Sequence, residues 1–369
     1  MNDLFNYDPE RETKLNKLKD AAREIYARCT DGRVWQPTYT SLERLLNKIY
    51  LYLTFDCPLR CGFCFAEGGE RKCATLEPGK IADITAQAAE AGFGSAVFTG
   101  GEPLVYKGFD ELIGLLAGLD IRGMQLSLRS SFGFDIPEER LKALCAVFDK
   151  ITVSIDGNEQ SHDAVRGAGR YKKTLYNLRR ALDIGGAEPA VNAVLTREQF
   201  KGKEGASLIK LTDDLGIKDL TVTSPFPLGR GRELNEPHYK WVKGRGDIEV
   251  PTMRFRCGLG SNLYMQPDGR AYPCYAWCEP NQMLGDLSKE SLKTVLDRGD
   301  LLRLANTGVD TNKKCRNCEV RYFCGGRCKI FVSDKQDVNS GDFDCTSQKH
   351  HILSMLKRGG ILPEDKDVL

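Results

Sequence analysis

From Lys48 to about Val222, short apolar runs alternate with longer amphipathic stretches. The runs IYLYLTF, SAVFT, MQLSL, ITVSI, AVNAVL and DLTVT have the length and β-branched or aromatic content of strands. Between them helical periodicity appears after Pro78, after Lys107, from Pro137, from Tyr171 to Ile184, and up to Leu215. Strands separated by helices imply parallel pairing through crossover connections, so the fold class is α/β. Six such units fall short of the eight that close a (β/α)8 barrel, and a partial, open (β/α)6 barrel is expected.

The flanks are patterned differently. Residues 1–48 carry Leu15, Leu18, Ala22, Ile25 and Tyr26 at helical spacing, then a turn at Asp31 and Gly32, and form an N-terminal helical extension. The barrel is expected over 49–224. Residues 225–256 are rich in Gly, Pro, Arg and Lys with little periodicity, as suits a linker. Beyond it cysteines become dense over 257–350, a second domain stapled by metal and closed by a helix from Thr346 to Lys357, and 351–369 is the C-terminal helix and tail.

Composition narrows the function classes. The 53 basic and 51 acidic residues nearly cancel to a formal charge of +2, which gives no electrostatic reason to expect nucleic acid or an anionic membrane. No apolar run reaches the roughly 18 to 20 residues of a membrane span, and MNDLFNYDPERETK has no apolar signal core, so a cytoplasmic protein is expected. In that compartment fourteen cysteines read as metal ligands rather than disulfides.

Three of them, Cys57, Cys61 and Cys64, stand in the CxxxCxxC spacing of TFDCPLRCGFCF, directly after the first strand. The strand ends of a parallel barrel are where active sites are built. A cubane iron–sulfur cluster normally takes four thiolates, so three leave one iron open. Zinc completed by a distant ligand is the competing use of such thiols.

The stretch from about Ile49 to Val222 resembles the radical S-adenosylmethionine (SAM) enzymes, on this triad together with GGEP after the second strand, SIDG after the fourth, and HDAVRG. The resemblance implies that Cys57, Cys61 and Cys64 hold a 4Fe-4S cluster whose fourth iron binds SAM. Reductive cleavage of SAM then yields a 5'-deoxyadenosyl radical that abstracts hydrogen from substrate. It further implies that Gly100, Gly101, Glu102 and Pro103 line the methionine, with Glu102 accepting hydrogen bonds from its ammonium. Ser154 would lie near the ribose, Arg166 would pair with the SAM carboxylate, and Phe63 and Leu195 would flank the adenine. His162 is expected to be structural, a hydrogen-bond partner within a turn. LSLRSS at the third strand departs from the Thr-Asn-Gly turn of many relatives.

From Cys257 the chain reads Cys, sixteen residues, Cys274, then CxxCxxxxxCxxxC through Cys315, Cys318, Cys324 and Cys328, then Cys345, with Gly269 five positions before Cys274. This resembles the SPASM extension of some radical SAM enzymes, which implies two auxiliary 4Fe-4S clusters. Cys315, Cys318, Cys324 and Cys345 would hold the distal one and Cys257, Cys274 and Cys328 the proximal one, with either Cys278 or an open iron completing it. Paired zinc sites are the chemical alternative. Cys29, Cys73 and Cys145 remain, Cys145 as helix core and Cys73 as a loop thiol past the triad.

SPASM-bearing relatives act mostly on peptides. The resemblance therefore implies hydrogen abstraction from a ribosomally made precursor peptide, installing a thioether, a C–C bond or a related oxidative change. In sulfatase maturases an aspartate base follows the GxxxxC cysteine, whereas Tyr275 stands here. A phenol with a pKa of about 10 is a poor base at neutral pH. Formylglycine formation and small-molecule dehydrogenation are the alternatives, and a plain iron–sulfur electron carrier is the non-enzymatic one. Implied partners are the peptide, a reductant such as flavodoxin or ferredoxin, and a separate leader-recognition protein, since residues 1–48 are short for a winged-helix recognition domain. PLGRGRELNEPHYKWVKGRGD is either a solvated loop or a contact for an acidic leader.

Overall fold

The computed structural model describes residues 46–121, 123–234, 240–243, 259–305, 307–309 and 311–318, with positions 324, 326, 345, 349 and 353. They fall into two compact units, one made of 46–234, 240–243 and 262–299, the other of 259–261 and the described residues from 300 onward. Cys274 and Cys278 thus belong with the barrel, while Cys315, Cys318, Cys324 and Cys345 belong to the second unit. The N-terminal extension and most of the helix expected near Thr346 lie outside the described residues.

The first unit is built on one ten-stranded sheet. Its centre is β1 (Lys48–Tyr52), β2 (Ser95–Thr99), β3 (Gln125–Ser130), β4 (Lys150–Ser154), β5 (Glu188–Val194) and β6 (Asp219–Thr223), parallel and adjacent in chain order. The crossovers carry α1 (Pro78–Glu90), α2 (Phe109–Ala117), α3 (Glu138–Val147), α4 (Glu159–Arg166), α5 (Arg170–Ile184), α6 (Arg197–Lys201) and α7 (Lys203–Asp214). These six strands coincide with the six apolar runs. Register places Leu51, Phe98, Leu128 and Ile151 side by side on one face, all at most 3 % exposed. Ile81, Ile84 and Ala88 form the buried stripe of α1. Burying each such aliphatic side chain contributes about 1.5–3 kcal/mol. On the opposite face the register aligns polar positions: Arg129 beside Thr152, and Ser154 beside Asn192 and Thr221.

Four further strands extend the sheet. β7 (Lys240–Val242) pairs antiparallel with β6, inside the stretch expected to be a linker. At the other edge β8 (Asn262–Met265) runs parallel to β1, followed antiparallel by β9 (Arg270–Tyr272) and β10 (Gly285–Asp286), giving an open sheet from β10 to β7. The β8–β9 hairpin turns at Gly269, whose φ of +92° an L side chain rarely adopts. α4 corrects the expectation of a turn at HDAVRG: Asn158 caps it by accepting the Ser161 N–H, and His162 and Arg166, four residues apart, share one helical face. The first unit also holds α8 (Leu292–Asp297); the second unit contributes α9 (Asp300–Ala305) and a short 3-10 turn at Cys315–Asn317.

Candidate functional site

The triad loop leaves the C-terminal end of β1 and lies against the Gly100–Pro103 loop at the neighbouring end of β2. The Gly101 N–H donates to the Thr54 carbonyl at 2.7 Å and the Glu102 N–H to that of Asp56 at 2.9 Å. A Cβ at Gly101 would stand 2.4 Å from the Asp56 carbonyl oxygen, and one at Gly100 2.4 Å from that of Thr54. These glycines are therefore needed where two backbones touch.

Glu102 is 1 % exposed, and its carboxylate accepts from the Ser130 hydroxyl (2.7 Å), the Ser131 N–H (2.9 Å) and hydroxyl (2.7 Å), and the Leu104 N–H (3.3 Å). Burial pushes its carboxyl up and the serine and backbone donors pull it back. Four donors occupy most of a carboxylate's acceptor capacity, so Glu102 ties the end of β2 to the end of β3. Ser130 and Ser131 are the residues of LSLRSS that replace the Thr-Asn-Gly turn.

Arg166 and Phe63 come together, the guanidinium carbon 5.5 Å from the ring centroid. The Nε of Arg166 donates to Asp156 Oδ2 at 2.5 Å; Asp156 Oδ1 accepts from the Val194 N–H at 2.8 Å. Asp156 lies in SIDG, yet sequence reasoning singled out only Ser154 there. Ser154 ends β4, and Leu195, 1 % exposed, follows β5. His162 is fully buried and its Nδ1 accepts the Asp156 N–H at 3.2 Å, a structural role on a helix rather than in a turn.

Arg230, from the basic stretch, is committed to the triad loop. Its Nε donates to the Cys61 carbonyl at 2.9 Å, its Nη1 to Gly68 at 3.3 Å and to Glu70 at 2.7 Å, and its N–H to the Cys64 carbonyl at 3.1 Å. Two amides face triad sulfurs, Leu59 N–H on Cys57 at 3.4 Å and Gly68 N–H on Cys64 at 3.5 Å. Burial pushes the free Cys57 thiol up to about 11 and raises Cys61, where Arg166 and Arg230 oppose the rise. Three thiols with amide donors on sulfur and two guanidinium groups nearby form a donor set suited to a thiolate-held, negatively charged cluster. Among the described residues no three His, Cys, Asp or Glu side chains converge as around a single ion.

Tyr52, Phe55, Phe65, Tyr264 and Tyr275 wall a cavity beside this loop. Phe65 packs on Tyr275 with centroids 4.7 Å apart, and Tyr264 meets Tyr275 edge-on at 5.5 Å. Burial raises the Tyr52 and Tyr264 phenols far above their ordinary range, so both stay neutral. Cys73 packs against this cluster. Cys278 lines the cavity, its Sγ against the Cys274 and Tyr275 carbonyls at 3.4 and 3.3 Å. The buried indole N–H of Trp277, between the two cysteines in sequence, has no partner among the described residues. Cys145 is buried on α3.

In the second unit Cys345 packs against Cys315 and Val309, joining thiols thirty residues apart in sequence. Asn312, 0 % exposed, accepts the N–H groups of Lys314 and Cys315 with Oδ1, while Nδ2 has no partner among the described residues. An orphaned buried N–H beside these thiols fits a sulfur cluster as its acceptor. Cys29, Cys257 and Cys328 lie outside the described residues.

Residues 51–198 match the model of the Radical SAM superfamily, and 257–319 that of SPASM, an iron-sulfur cluster-binding domain. Curated relatives include the probable GTP 3',8-cyclase of Saccharolobus solfataricus, 24% identical over 196 residues, 53% of this chain and 62% of that protein. Another is the probable GTP 3',8-cyclase of Sulfurisphaera tokodaii, 23% identical over 269 residues, 70% of this chain and 83% of the relative. The chain spans about six tenths of the length of the Saccharolobus relatives, 62% for the first. Among solved structures, Streptococcus suis SuiB bound to S-adenosylmethionine shares the fold at TM-score 0.63, 17% identity, 80% of this chain and 75% of that one. AdoMet-bound anSMEcpe shares it at 0.64, 16% identity, 86% of this chain and 98% of that one. The chain thus carries a Radical SAM domain over 51–198 and a SPASM iron–sulfur domain over 257–319, whose cofactors are a SAM-binding 4Fe-4S cluster and auxiliary iron–sulfur clusters.

Proposed function

We propose that this enzyme abstracts hydrogen from a ribosomally made precursor peptide and installs a thioether, C–C or related oxidative modification. The observation that carries the reading is the aromatic cavity beside the triad loop, a concave apolar site of the kind that takes peptide side chains. Two fold neighbours support it, SuiB having been solved with its precursor peptide SuiA and anSMEcpe with a peptide named Cp18Cys.

When bound, the cluster and SAM supply a one-electron source and a hydrogen-abstracting radical. The chain's own residues hold and orient them. Cys57, Cys61 and Cys64 take the cluster. Gly100, Gly101, Glu102 and Pro103 form the wall for the methionine, with Glu102 fixing that wall through Ser130 and Ser131. Asp156 occupies the Nε–H of Arg166, leaving its two terminal amino groups as a fork for the SAM carboxylate. Phe63, Ser154 and Leu195 line the nucleoside. Cys257, Cys274 and Cys328, with Cys278 as the fourth thiol, hold the proximal auxiliary cluster, and Cys315, Cys318, Cys324 and Cys345 the distal one. Flavodoxin or ferredoxin supplies electrons in the cytoplasm, and a separate protein presents the leader; among the described residues no helix is long and apolar enough to cross a membrane.

The test is anaerobic reconstitution followed by incubation with SAM, reductant and three substrates: the peptides encoded beside the gene, a sulfatase peptide, and GTP. A mass change on a neighbouring peptide with release of 5'-deoxyadenosine, lost in Cys57→Ala, is expected. Modification of the sulfatase peptide alone would move the assignment to formylglycine formation, turnover of GTP alone to small-molecule chemistry, and no SAM cleavage at full cluster load to an electron carrier.

A further inference from the structure

Among the described residues the aromatic cavity is lined by one charged side chain, Arg71, with Gln266 and Cys278 beside it and no Asp or Glu. Arg71 is half-buried, with its guanidinium carbon 3.8 Å from the Phe55 ring centroid. Two carboxylates that act, like Arg71, on the neighbouring Cys73 are already occupied. Asp56 pairs with Lys72 at 2.5 Å and Asp268 with Arg270 at 2.6 Å. Among the described residues no carboxylate pairs with Arg71.

A guanidinium stacked on a ring keeps its N–H fork free at the edge, and that fork matches a carboxylate in bidentate geometry. Partial burial among rings lowers the local dielectric and strengthens such a contact relative to one on the open surface. The amide of Gln266, also in the lining, is already engaged with the Cys278 sulfur, so Arg71 is the lining group left to meet a carboxylate.

We infer that the cavity is a carboxylate-selecting substrate pocket: it takes an acidic residue of the peptide flanked by an aromatic or apolar one, Arg71 pairing the carboxylate while Phe65, Tyr264 and Tyr275 pack the neighbouring side chain. This rests on the peptide reading given above and names the sequence feature that reading lacks. Arg71 is a specificity-determining residue, separate from the residues assigned to cluster and SAM. The rival role for the same cation is to neutralise a cluster held by Cys278.

The test uses the full-length protein reconstituted with iron and sulfide and saturated with SAM. It is titrated calorimetrically with acetyl-Gly-Phe-Glu-Gly-amide and its glutamine counterpart, and with hydrocinnamate and hydrocinnamyl alcohol. The glutamate peptide is expected to bind roughly tenfold tighter than the glutamine peptide, the scale of one charge-assisted hydrogen bond. Arg71→Gln removes the difference, Arg71→Lys keeps part of it, and SAM affinity is the same in all three proteins. Equal affinity for both members of each pair in the unsubstituted protein overturns the inference, as does discrimination that survives Arg71→Gln. A shifted auxiliary-cluster potential in Arg71→Gln with discrimination intact also overturns it, in favour of the rival role. An Arg71-dependent preference for hydrocinnamate over its alcohol, with neither peptide bound, keeps the carboxylate site and removes the peptide reading.

Discussion

Arg166 and Asp156 form a buried ion pair, Nε to Oδ2 at 2.5 Å, with side chains 9% and 2% exposed. The pair joins the end of β4 to the last turn of α4, and the Val194 N–H on the other Asp156 oxygen extends the tie to β5. Removing one partner leaves the other charge buried and uncompensated, at a cost of about 3–5 kcal/mol. Asp156→Asn is therefore expected to lower the unfolding free energy by about that amount and to weaken SAM binding by freeing the guanidinium to rotate. Denaturant titration and equilibrium dialysis with SAM check both. An unchanged midpoint would mean the pair does not hold the strand ends.

The contact between the GGEP loop and the triad loop predicts opposite fates for two glycines. Gly101→Ala drives a methyl to 2.4 Å from the Asp56 carbonyl oxygen, and backbone must move to admit it. We expect a loss of about 2 kcal/mol or more and poor iron uptake. Gly62→Ala meets nothing within 4 Å and should change stability by no more than about 0.5 kcal/mol. Thermal melts of the metal-free variants and iron content after reconstitution separate the two. Equal behaviour would show that the loops do not rely on this close approach.

Asn312 supplies a prediction for the second unit. Asn312→Asp preserves the acceptor that caps Lys314 and Cys315 but deletes the orphaned Nδ2 donor. If that donor faces cluster sulfur, losing it disfavours the reduced, more negative state by about 1 kcal/mol, about 40 mV for one electron, and the new carboxylate acts in the same direction. A redox titration followed by electron paramagnetic resonance should place one auxiliary potential lower. An unmoved potential with normal iron content would take Asn312 out of the cluster's surroundings.

What was legible in the sequence is what local pattern encodes. β1–β6 each present five to seven residues of strong strand character, and their parallel order follows from the intervening helices. β7–β10 have two to four residues each in Gly- and Pro-rich surroundings, and exist because neighbouring strands offer them partners. α4 was missed because seven of its eight residues remain at least partly exposed, which leaves no apolar stripe; His162 alone is buried. Arg230 looked like part of a solvated charge run because its acceptors, the Cys61 and Gly68 carbonyls, are 169 and 162 positions away. Asp156 and the Ser130–Ser131 pair hide for the same reason, since a buried polar group shows its purpose only once its partners are placed.

His162 makes stability depend on pH in a defined window. Its Nδ1 accepts the Asp156 N–H, so the ring proton sits on Nε2, which has no partner among the described residues. Burial lowers its pKa to about 4; Asp156 and Asp163 pull it up and Arg166 pushes it down. The unfolded chain takes up this proton near pH 6.5, whereas the folded chain refuses it until about 4. The stabilisation is thus complete above pH 6.5 and is lost as pH falls through that window, on the order of 3 kcal/mol by its lower end. Urea midpoints should decline from pH 6.5 toward 4, and His162→Gln, which keeps an acceptor for the Asp156 N–H, should flatten the slope. Parallel slopes in the two proteins would assign the acid sensitivity to other groups and leave His162 as packing alone.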